Sequence, residues 1–477
     1  MTGPAGGEWT SVDLRQLART GVVHFMGISG AGMSTLAEYL ARDGGMVTGC
    51  DLRPGSSGAA LGERGVAILQ GHDASHVADA VALVMTSAIP ATHPEVAAAR
   101  SRGIPVLKRA QALGAVVNRG TVLAVAGTHG KTTTTAAATS ILAAADLDPT
   151  GMVGGRMQAW GGGLRAGGGD IFVVEADEYD RSFLTLRPAA AVVTSVEADH
   201  LDIYGDLSGI EAAFAEFLRQ VHPGGLIAAC SDDPGARRVA DAVDREQRVL
   251  RYGTGEDADL RAVAVRQAGR AMSFDVMESG ATLGALTVAA PGLHNVRNAL
   301  GAFALARHAG ASFEAARTAL RTFTGVARRF QELGTHAGIT VVDDYAHHPT
   351  EVHATLTAAR GMYPGRRIVA AFQPHLYTRT RDLANEFGTA LADADVVWVA
   401  DVYPAREAPL PGVTGELVAD ATRSAGATVH YSGTLDDLRR GLRDSLEPGD
   451  VLIAMGAGDI DEMTHALLRA LAGEVDA

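Results

Sequence analysis

The feature that most constrains the fold is a glycine-rich turn with one lysine, G-T-H-G-K-T-T, at residues 127–133. The preceding run, 121–126, is short, apolar and rich in β-branched residues, whereas residues 132–145 are rich in alanine and contain no helix breaker. This order predicts a strand, a turn and a helix. A helix that begins at such a turn offers unpaired N–H groups and its positive dipole end to an anion. The pattern therefore indicates a phosphate-binding loop.

The residue types within the turn suit phosphate. Gly127 and Gly130 allow the backbone to approach closely, Lys131 can contact terminal phosphate oxygens, and Thr132 can ligate Mg²⁺. Lys131 is one of two lysines among 41 basic residues. The turn departs from the strict Walker pattern, because Val125 stands where that pattern has glycine. The alternative interpretation is an ordinary glycine turn before a helix.

Length and composition narrow the class of protein. A chain of 477 residues with 47% hydrophobic residues is long enough for about three domains, each with its own core. We find no apolar run of about 18 residues and no apolar signal core in residues 1–20, so we expect no membrane partner. A net charge of −14 argues against nucleic acid. The two cysteines suggest neither a disulfide framework nor a metal cluster, and they suit a reducing cytoplasm.

The first segment of the chain contains a second glycine-rich turn. An apolar strand at 21–26 precedes G-I-S-G-A-G-M at 27–33, a helix follows from 34 to about 41, and a strand at 46–50 ends at Asp51. A dinucleotide-binding turn has this order, with an acid about where Asp51 lies. Ser29, however, replaces the middle glycine of that fingerprint. Binding of NAD, binding of a UDP-type nucleotide and a structural strand–helix turn all stay open.

Two strand-like runs of the second segment end in acids. Residues 171–174 precede Glu175, and residues 190–196 precede an acidic run that contains His200. Ligands of open α/β sheets bind at the carboxyl ends of strands, so both acidic runs should face the phosphate loop. Oxygen ligands suit Mg²⁺, and Glu175 with Thr132 forms a sensible first set of ligands, while His200 could join a second Mg²⁺ site. The glycine-rich stretch 151–169 is predicted to be a flexible loop.

The third segment predicts another open parallel sheet. Its strand-like runs are 339–342, 367–372, 396–400 and 451–455, and each is followed by polar or glycine-rich sequence. Histidines at 347, 348 and 375 and several arginines follow these runs. Positive side chains at such an edge suit an anionic substrate. The alternative for any one of these histidines is a structural role.

Taken together, the motifs resemble the Mur ligase family over almost the whole chain. They occur in family order as GISGAGM, GTHGKTTT, EADE, EADHLD, HNVRN, RRF, DDYAHHPTEV, FQPHLYTRT and DVYPARE. The resemblance implies an α/β protein of three domains. These are a Rossmann-like UDP-substrate domain at 1–119, a central ATP-binding domain with a P-loop ATPase-type parallel sheet at 120–326, and a Rossmann-like domain at 327–477 that closes over ATP and receives the amino acid.

The resemblance also implies an activity. The motifs of the chain resemble those of the alanine-adding branch of the family most closely. We expect an ATP-dependent, ADP-forming ligase that joins L-alanine to the lactyl carboxylate of UDP-N-acetylmuramate through an acyl phosphate, in cytoplasmic peptidoglycan precursor synthesis. Its cofactors would be ATP and Mg²⁺. Its partners would be UDP-N-acetylmuramate and L-alanine, and it would be a monomer or a homodimer.

Site residues carry over from the matching motifs. The catalytic set would be Lys131, Glu175, His200, His347, His375 and Arg379, and the metal ligands would be Thr132, Glu175 and His200. The residues implied at ATP are Gly127, Thr128, His129, Gly130, Lys131, Thr132, Thr133, Asn295, Asn298, Arg329 and Asp344. The residues implied at the UDP-substrate are Gly30, Ala31, Gly32, Asp51, Ser87 and Arg109.

Two departures from the family pattern keep alternatives open. Leu376 stands where many relatives have arginine, so a substrate contact there must come from elsewhere or differ in strength. Tyr179 replaces a common serine and suggests, as the first alternative, the ligase that reattaches L-Ala-γ-D-Glu-meso-diaminopimelate to UDP-N-acetylmuramate. No lysine follows Lys131, so a carbamylated lysine of the kind other Mur ligases use is excluded. An NAD-dependent oxidoreductase, or a non-catalytic nucleotide-binding protein, is the alternative from a different class.

Overall fold

The computed structural model describes residues 11–243 and 246–473. Strands and helices alternate along the chain, and parallel strands dominate three sheets, so the predicted α/β class is confirmed. By its contacts the chain divides into two compact units. The first contains residues up to Val263 together with Asp275–Leu286 and Arg297–Phe323. The second contains Ala264–Phe274, Thr287–Val296 and the residues from Thr324 onward.

The first sheet is parallel and has the strand order β3-β2-β1-β4-β5. A 3₁₀ helix at Ala74–Val77 precedes β4. The elements of this part are α1 (Leu14–Thr20), β1 (Val22–Met26), α2 (Ala31–Arg42), β2 (Met46–Asp51), α3 (Gly55–Glu63), β3 (Ala67–Gln70), β4 (Ala80–Met85), α4 (Pro94–Ser101), β5 (Val106–Lys108) and α5 (Arg109–Val117).

The middle part of the chain carries the phosphate-loop turn between its first strand and first helix. It also contains 3₁₀ helices at Gln158–Trp160 and Tyr179–Thr185. Its elements are β6 (Thr121–Ala126), α6 (Lys131–Ala144), β7 (Thr150–Met157), β8 (Gly162–Arg165), β9 (Ile171–Ala176), β10 (Ala190–Val193), α7 (Leu201–Tyr204), α8 (Leu207–Leu218), β11 (Leu226–Cys230), α9 (Pro234–Asp241), β12 (Arg248–Gly253), β13 (Leu260–Ala268), β14 (Ala271–Glu278), β15 (Ala281–Val288), α10 (Leu293–His308) and α11 (Phe313–Arg321).

Within the first unit the middle sheet runs in the order β12-β11-β10-β6-β9-β7-β8. All of these neighbours pair in parallel except β7 and β8. β6 lies between β9 and β10, with Ala126 opposite Ala176 on one side and opposite Val193 on the other. The carboxyl ends of these three strands therefore lie side by side. The prediction that both acidic runs follow strands next to the phosphate loop is confirmed.

The predicted flexible loop at 151–169 is wrong. Most of this stretch forms β7, a 3₁₀ helix and β8, and Gly151 pairs with Arg165. Its glycines allow close packing: a Cβ at Gly151 would lie 2.5 Å from Thr139 Cγ2, and one at Gly163 would lie 2.6 Å from the Val153 carbonyl oxygen. Glycine in a strand often marks such an approach. The lack of a hydrophobic period therefore concealed a real hairpin.

The third sheet has the order β16-β17-β21-β18-β19-β20. The expectation of an entirely parallel sheet needs correction, because β16 pairs with β17 in antiparallel orientation at its edge. The strands predicted at 396–400 and 451–455 occur with those bounds. The elements are β16 (Gln331–His336), β17 (Ile339–Asp344), α12 (Pro349–Met362), β18 (Ile368–Phe372), α13 (Tyr377–Asp382), α14 (Ala384–Leu391), β19 (Val396–Ala400), α15 (Glu416–Ser424), β20 (Thr428–Gly433), α16 (Leu435–Ser445), β21 (Val451–Met455) and α17 (Ile460–Leu471).

Both faces of the third sheet are covered by apolar side chains. One cluster joins Phe372 and Ile453 to Leu356 of α12 and Phe387 of α14. A second cluster, on alternate residues of the same strands, includes Leu452 together with side chains of α16 and α17. Strands buried on both faces are typical of parallel α/β sheets.

Several helices are capped at their N-terminus by a side chain that accepts a hydrogen bond from a backbone N–H group. Asp206, Asp233, Ser312 and Thr434 each accept a hydrogen bond from a backbone N–H in the first turn of α8, α9, α11 and α16. Such caps satisfy N–H groups that have no partner within the helix. In the described ranges, no helix combines the length and apolar character that crossing a bilayer requires. The domain boundaries after residues 119 and 326 stay predictions.

Candidate functional site

The phosphate loop is held by the segment that follows β10. The Thr128 N–H donates to the Ser195 carbonyl oxygen at 2.9 Å, and the His129 N–H donates to Ser195 Oγ at 3.0 Å. In return, the Glu197 N–H donates to Thr128 Oγ1 at 2.9 Å. These bonds fix the middle of the loop before any ligand binds. Thr132 and Thr133 then form the first turn of α6, with Thr132 buried and Thr133 half-buried.

Gly130 occupies a position that only glycine suits. Its φ is +81°, in the left-handed region, and it immediately precedes α6. A Cβ there would lie 2.5 Å from Asn298 Oδ1. Asn298, in the first turns of α10, therefore packs directly on the loop. The structure brings this predicted ATP residue to the phosphate loop.

The ammonium group of Lys131 binds inside the loop and to one acid. Its Nζ donates to the Gly127 carbonyl oxygen at 2.5 Å and to Glu178 Oε1 and Oε2 at 2.9 and 2.8 Å. Burial disfavours the charged ammonium, but the nearby carboxylates, Glu178 first among them, outweigh burial and raise the pKa of Lys131. Burial raises the pKa of Glu178 to about 7, against the opposing effect of Lys131. The lysine is thus charged and held by a carboxyl that is easily protonated.

Glu175 and Thr132 come together beside the loop, as the sequence predicted. Their side chains are hydrogen-bonded, and Glu175 Oε1 also accepts from the Gly154 N–H at 2.6 Å. Burial is the main cause of a raised pKa at Glu175. A hydroxyl and a carboxylate at the start of a phosphate-binding helix supply the oxygen ligands that Mg²⁺ prefers. The residues present therefore fit this ion.

His200 contacts a different set of side chains. It has a left-handed φ of +51° at the start of α7, and its N–H donates to Asp199 Oδ1 at 2.8 Å. Its ring packs edge-on against Tyr179, with centroids 5.2 Å apart. Tyr179 thus packs against the ring of a predicted metal ligand. Participation of His200 in metal binding stays a prediction.

A cavity of about 250 Å³ lies between the first glycine-rich turn and the phosphate-loop strands. Gly32 and Arg109 line it on one side, and Glu175 and Asp177 line it on the other. Arg109 Nη2 donates to Asp177 Oδ2 at 3.1 Å, and the guanidinium packs on Gly32, 3.0 Å from where a Cβ would stand. Two predicted UDP-substrate residues and one predicted metal ligand therefore share one cavity.

The other predicted UDP-substrate residues lie around the first turn. Gly30 and Ala31 mark the start of α2, and Asp51 Oδ2 accepts from the Ser29 N–H at 3.1 Å, so the acid closes the turn. Ser87 donates to Asp180 Oδ2 at 3.1 Å. Asp51 and Ser87 are not among the lining residues of the cavity in the described chain. Their roles stay predictions.

In the second unit, three predicted catalytic residues gather at the carboxyl edge of the third sheet. The rings of His347 and His375 lie 5.9 Å apart, and His375 Nδ1 is 3.3 Å from Arg379 Nη1. Tyr403 stacks on His375 with centroids 5.7 Å apart. His347 Nδ1 lies 2.9 Å from the Tyr345 carbonyl oxygen, which orients the ring. The strand ends predicted a functional edge here, and the resemblance placed these three residues together at it. His348, the third candidate, instead caps α12 by accepting from the Thr350 N–H, which is the structural alternative.

The predicted nucleotide residues of the second unit are held by buried contacts. Asp344 accepts from the Phe330 and Ala346 N–H groups at 2.7 and 2.8 Å, and burial raises its pKa to about 6. Arg329 lies over the Tyr345 ring at 5.2 Å. Asn295 Nδ2 donates to the Pro291 carbonyl oxygen at 2.7 Å. Asn295 and Asn298 belong to different units, because the division falls within α10.

Leu376 is buried and has a left-handed φ of +70° at the start of α13. Its N–H donates to the Tyr403 carbonyl oxygen at 3.0 Å. A leucine held in this conformation is strained, and such strain occurs where the surrounding structure fixes a functional segment. The polar side chains next to it in this segment are His375 and Arg379.

Sequence reasoning missed two residues of the site. Glu178 binds Lys131, and Asp177 binds Arg109, although only Glu175 of their acidic run had been selected. Glu175 was chosen because it ends the predicted strand. The signal for the other two was the density of acids after that strand, but a run of acids does not reveal which member meets a cation.

Three family models match the chain in succession. Residues 22–121 match the "Mur ligase family, catalytic domain", residues 125–306 match the "Mur ligase middle domain", and residues 328–458 match "Mur ligase, glutamate ligase domain". The matches follow the order of the three sheets.

Curated relatives and solved structures agree with these models. The chain is 45% identical over 457 residues to a UDP-N-acetylmuramate–L-alanine ligase of Salinibacter ruber, covering 95% of this chain and 96% of the relative. It is 46% identical to one of Acidothermus cellulolyticus, with the same coverage.

Among crystal structures, a UDP-N-acetylmuramate–alanine ligase of Thermotoga maritima has a TM-score of 0.81 and 28% identity, over 95% of this chain and all of that one. A murein peptide ligase of Psychrobacter arcticus has a TM-score of 0.71 and 26% identity, over 96% of this chain and all of that one. With three consecutive domain models and such relatives along nearly its whole length, the chain belongs to the Mur ligase family.

Proposed function

We propose that this chain is an ATP-dependent, ADP-forming ligase that joins L-alanine to the lactyl carboxylate of UDP-N-acetylmuramate. The observation that carries the proposal is the shared cavity, where Arg109 and Gly32 of the first turn face Glu175 beside the phosphate loop. A ligase must bring an acid to be activated and a phosphoryl donor to one place. Alanine ligases at 45% and 46% identity support the choice of substrates.

The reaction needs activation because a carboxylate is a poor acyl donor to an amine. Transfer of the γ-phosphoryl group to a lactyl carboxylate oxygen would form an acyl phosphate and ADP. The alanine amine would then attack the acyl carbon, a C–N bond would form, and inorganic phosphate would leave with the former carboxylate oxygen. The amine proton would pass to solvent or to a nearby base.

Lys131 and the loop would stabilise the transferring phosphoryl group. Positioning and electrostatics supply most of the catalysis in such transfers. The N–H groups at the start of α6 would bind phosphate oxygens, and Lys131 Nζ would exchange its bonds to Glu178 for bonds to phosphate. Thr128, His129 and Thr133 would contribute to the same loop surface.

Mg²⁺ would be held by Thr132 and Glu175, with His200 as a further candidate, and when bound it would neutralise phosphate charge. Arg109 is placed to attract the lactyl carboxylate, because its guanidinium lines the same cavity as Glu175. Asp177, bound to Arg109 at 3.1 Å, would orient that guanidinium.

The second unit carries a cluster that would bind L-alanine. Its cluster of His347, His375 and Arg379 combines a fixed positive charge with two imidazoles. Such a group can bind the carboxylate of an amino acid and accept a proton from its amine. Asn295, Asn298, Arg329 and Asp344 are proposed as further ATP contacts.

The test is phosphate release from ATP, Mg²⁺ and UDP-N-acetylmuramate with either L-alanine or L-Ala-γ-D-Glu-meso-diaminopimelate. Release with alanine alone supports the proposal. Release with the tripeptide alone would make the chain the reattaching ligase, which Tyr179 suggested. Release with neither would contradict both. The accompanying proposals of a cytoplasmic monomer or homodimer, with no nucleic-acid partner, are tested by sedimentation and by binding to nucleic acid.

A further inference from the structure

Side chains with metal-ligand chemistry meet on one face of the first sheet. They are His24 of β1, Cys50 of β2, His76 of the 3₁₀ helix and Glu95 of α4. His24 is opposite Thr48 in the parallel pair β1–β2, and Cys50 lies two residues further along β2. Because strand side chains alternate between faces, His24 and Cys50 lie on the same face.

The donor atoms are spaced as a compact coordination shell. His24 Nε2 is 3.4 Å from Cys50 Sγ, and Cys50 Sγ is 3.5 Å from both carboxylate oxygens of Glu95. His76 Nδ1 is 2.8 Å from Glu95 Oε1, and one donor atom from each residue lies within 4.8 Å of all the others. Ligands about 2.0–2.3 Å from a tetrahedral Zn²⁺ ion are separated by about 3.3–3.8 Å. Small shifts of the side chains would therefore produce a zinc geometry.

Burial makes this group unusual. His24, Cys50 and Glu95 are fully buried, at 0% exposure. The neighbours of the Glu95 carboxylate are Cys50, His72, His76 and the Asp73 N–H, and no arginine or lysine pairs with Glu95 in the described chain. A buried carboxylate is costly without a compensating charge. A divalent cation at the centre of the group would supply that charge.

Surrounding contacts already orient the ligands. Thr48 Oγ1 lies 2.8 Å from His24 Nδ1, so the other ring nitrogen, Nε2, faces Cys50. The Asp73 N–H donates to Glu95 Oε1 at 2.8 Å and fixes that carboxylate. Outer contacts of this kind set the orientation of metal ligands and tune their affinity. Such outer contacts are expected around a metal site, whereas packing of a hydrophobic core does not require them.

We propose that His24, Cys50, His76 and Glu95 bind one Zn²⁺ ion as a closed structural site. Thiolate, imidazole and carboxylate are all ligands of Zn²⁺, and four of them make up the number of a closed tetrahedral site. His72, whose Nδ1 is 3.2 Å from Cys50 Sγ, is a neighbouring donor. The side chains of His72 and His76 keep 15% and 14% exposure, which gives the ion a route from solvent.

Binding exchanges a proton for a metal bond. Without metal, the Cys50 thiol donates to Glu95. On binding, the S–H bond breaks, an S–Zn bond forms with the thiolate electron pair, and the proton passes to solvent. No oxidation or reduction occurs. The earlier expectation of no metal cluster rested on the number of cysteines, whereas three of these four ligands are not cysteines.

The site would stiffen the first glycine-rich turn. The Cys50 carbonyl oxygen accepts the Gly27 N–H at 2.8 Å and the Ile28 N–H at 3.2 Å. Zinc at the Cys50 side chain would thus fix the strand end on which that turn rests. Its role would be structural, because four protein ligands leave no open position for chemistry.

The test uses the full chain, stripped with a chelator, dialysed and titrated with Co²⁺ in excess Mg²⁺. We expect about one equivalent to bind with the intense visible absorption of a tetrahedral ion and a near-ultraviolet thiolate-to-cobalt band. Zn²⁺ should abolish both signals and raise the melting temperature. Co²⁺ at an oxygen-ligand site would give neither signal, so the Mg²⁺ site does not interfere.

The two cysteines provide matched variants. Cys50→Ser should lose the thiolate band and the zinc-dependent rise in melting temperature, whereas Cys230→Ser, at a buried cysteine of β11, should keep both. His76→Ala changes the most exposed of the four proposed ligands and serves if Cys50→Ser fails to fold; it should weaken Co²⁺ binding at least tenfold. Absence of a thiolate band in the wild-type chain, or its persistence in Cys50→Ser, would overturn the proposal.

Discussion

Lys131 Nζ lies 2.8 Å from Glu178 Oε2, and both side chains are largely buried, at 15% and 5% exposure. The same ammonium also bonds to the Gly127 carbonyl oxygen. The lysine predicted to contact ATP is therefore already satisfied inside the protein. In the proposed reaction phosphate replaces Glu178 as the partner of Lys131, and a buried carboxyl is left behind.

Nucleotide binding should therefore be accompanied by proton uptake at Glu178. Its pKa of about 7 is raised by burial and held down by Lys131, so loss of Lys131 to phosphate should raise it further. A carboxylate that is ionised at about pH 8 would then take up a proton on binding. Calorimetry of Mg-ATP binding in buffers of different ionisation enthalpy measures this uptake.

Glu178→Gln should remove the proton uptake while preserving binding, because a glutamine is neutral in both states. Glu38→Gln is the control, since Glu38 is also largely buried but pairs with Arg42 of α2 and with Arg64, which follows α3. Equal proton uptake in the wild-type chain and in Glu178→Gln would show that Lys131 does not leave Glu178.

Lys131→Ala should lower the rate of ADP formation by at least 10²-fold, on the order observed when a charge-stabilising donor is removed. The fold should survive, because the loop is held by Ser195 through the backbone of Thr128 and His129. Circular dichroism and the melting temperature test the fold, and coupled detection of ADP tests the rate. Near-normal turnover would exclude Lys131 from catalysis.

Gly130→Ala should destabilise the chain and abolish nucleotide binding. The substitution adds a Cβ at φ +81° and places it 2.5 Å from Asn298 Oδ1. Gly65→Ala separates backbone strain from the steric clash, because Gly65 has φ +85° but no atom within 4 Å of the added Cβ. Strain alone should cost about 1–2 kcal/mol in the control. A second change, Asn298→Ala, should restore part of the unfolding free energy that Gly130→Ala loses. Equal unfolding free energies for Gly130→Ala and Gly65→Ala would show that contact with Asn298 does not destabilise Gly130→Ala.

Glu175→Gln should increase the Mg²⁺ concentration needed for half-maximal turnover by about tenfold or more, since a ligand charge is lost. The amide oxygen can still accept from the Gly154 N–H, so the strand end should remain in place. Titration of turnover with Mg²⁺ at saturating ATP measures the effect. The same Mg²⁺ dependence in wild type and variant would assign Glu175 to structure.

The sequence predicted the parts of the site that depend on strand ends. A turn between β6 and α6, and acids after β9 and β10, had to lie together once the strands were parallel neighbours. Pairings between side chains were less accessible. Three acids lie among residues 175–178 at the end of β9, and only the packed structure separates Glu175 beside Thr132 from Glu178 beside Lys131.

The glycine-rich hairpin shows a second kind of limit. Its strands, β7 and β8, lack the alternation by which a strand is recognised, because glycines stand where the neighbouring Thr139 and Val153 leave no room for a side chain. Likewise the cluster of His24, Cys50, His76 and Glu95 is spread over 72 positions of sequence. Tertiary packing, rather than local pattern, creates both features.

Two aspartates of the third sheet should affect stability with opposite dependence on pH. Burial raises the pKa of Asp343 to about 6, although Arg328 opposes this effect. At Asp450 burial also acts to raise the pKa, but hydrogen bonds, of which those from Arg367 at 2.7 and 2.8 Å come first, lower it overall. The contribution of Asp343 to the unfolding free energy is fully present below about pH 4, the pKa of an aspartate in the unfolded chain. It is lost as the pH rises through about 6, the pKa of Asp343 in the folded chain. The contribution of Asp450 to the unfolding free energy is present above the pKa of an aspartate in the unfolded chain and is lost as the pH falls through the lowered pKa of Asp450 in the folded chain.

Asp343→Asn should therefore flatten the decline in unfolding free energy between about pH 4 and 6 and stabilise the chain at pH 7 relative to pH 4. Asp450→Asn should do the reverse and destabilise it at pH 7, because Arg367 loses its charged partner. Urea unfolding followed by fluorescence at a series of pH values measures both. If the two variants shift the pH dependence in the same direction, burial does not govern Asp343, and the carboxyl beside Arg328 is ionised and paired as Asp450 is.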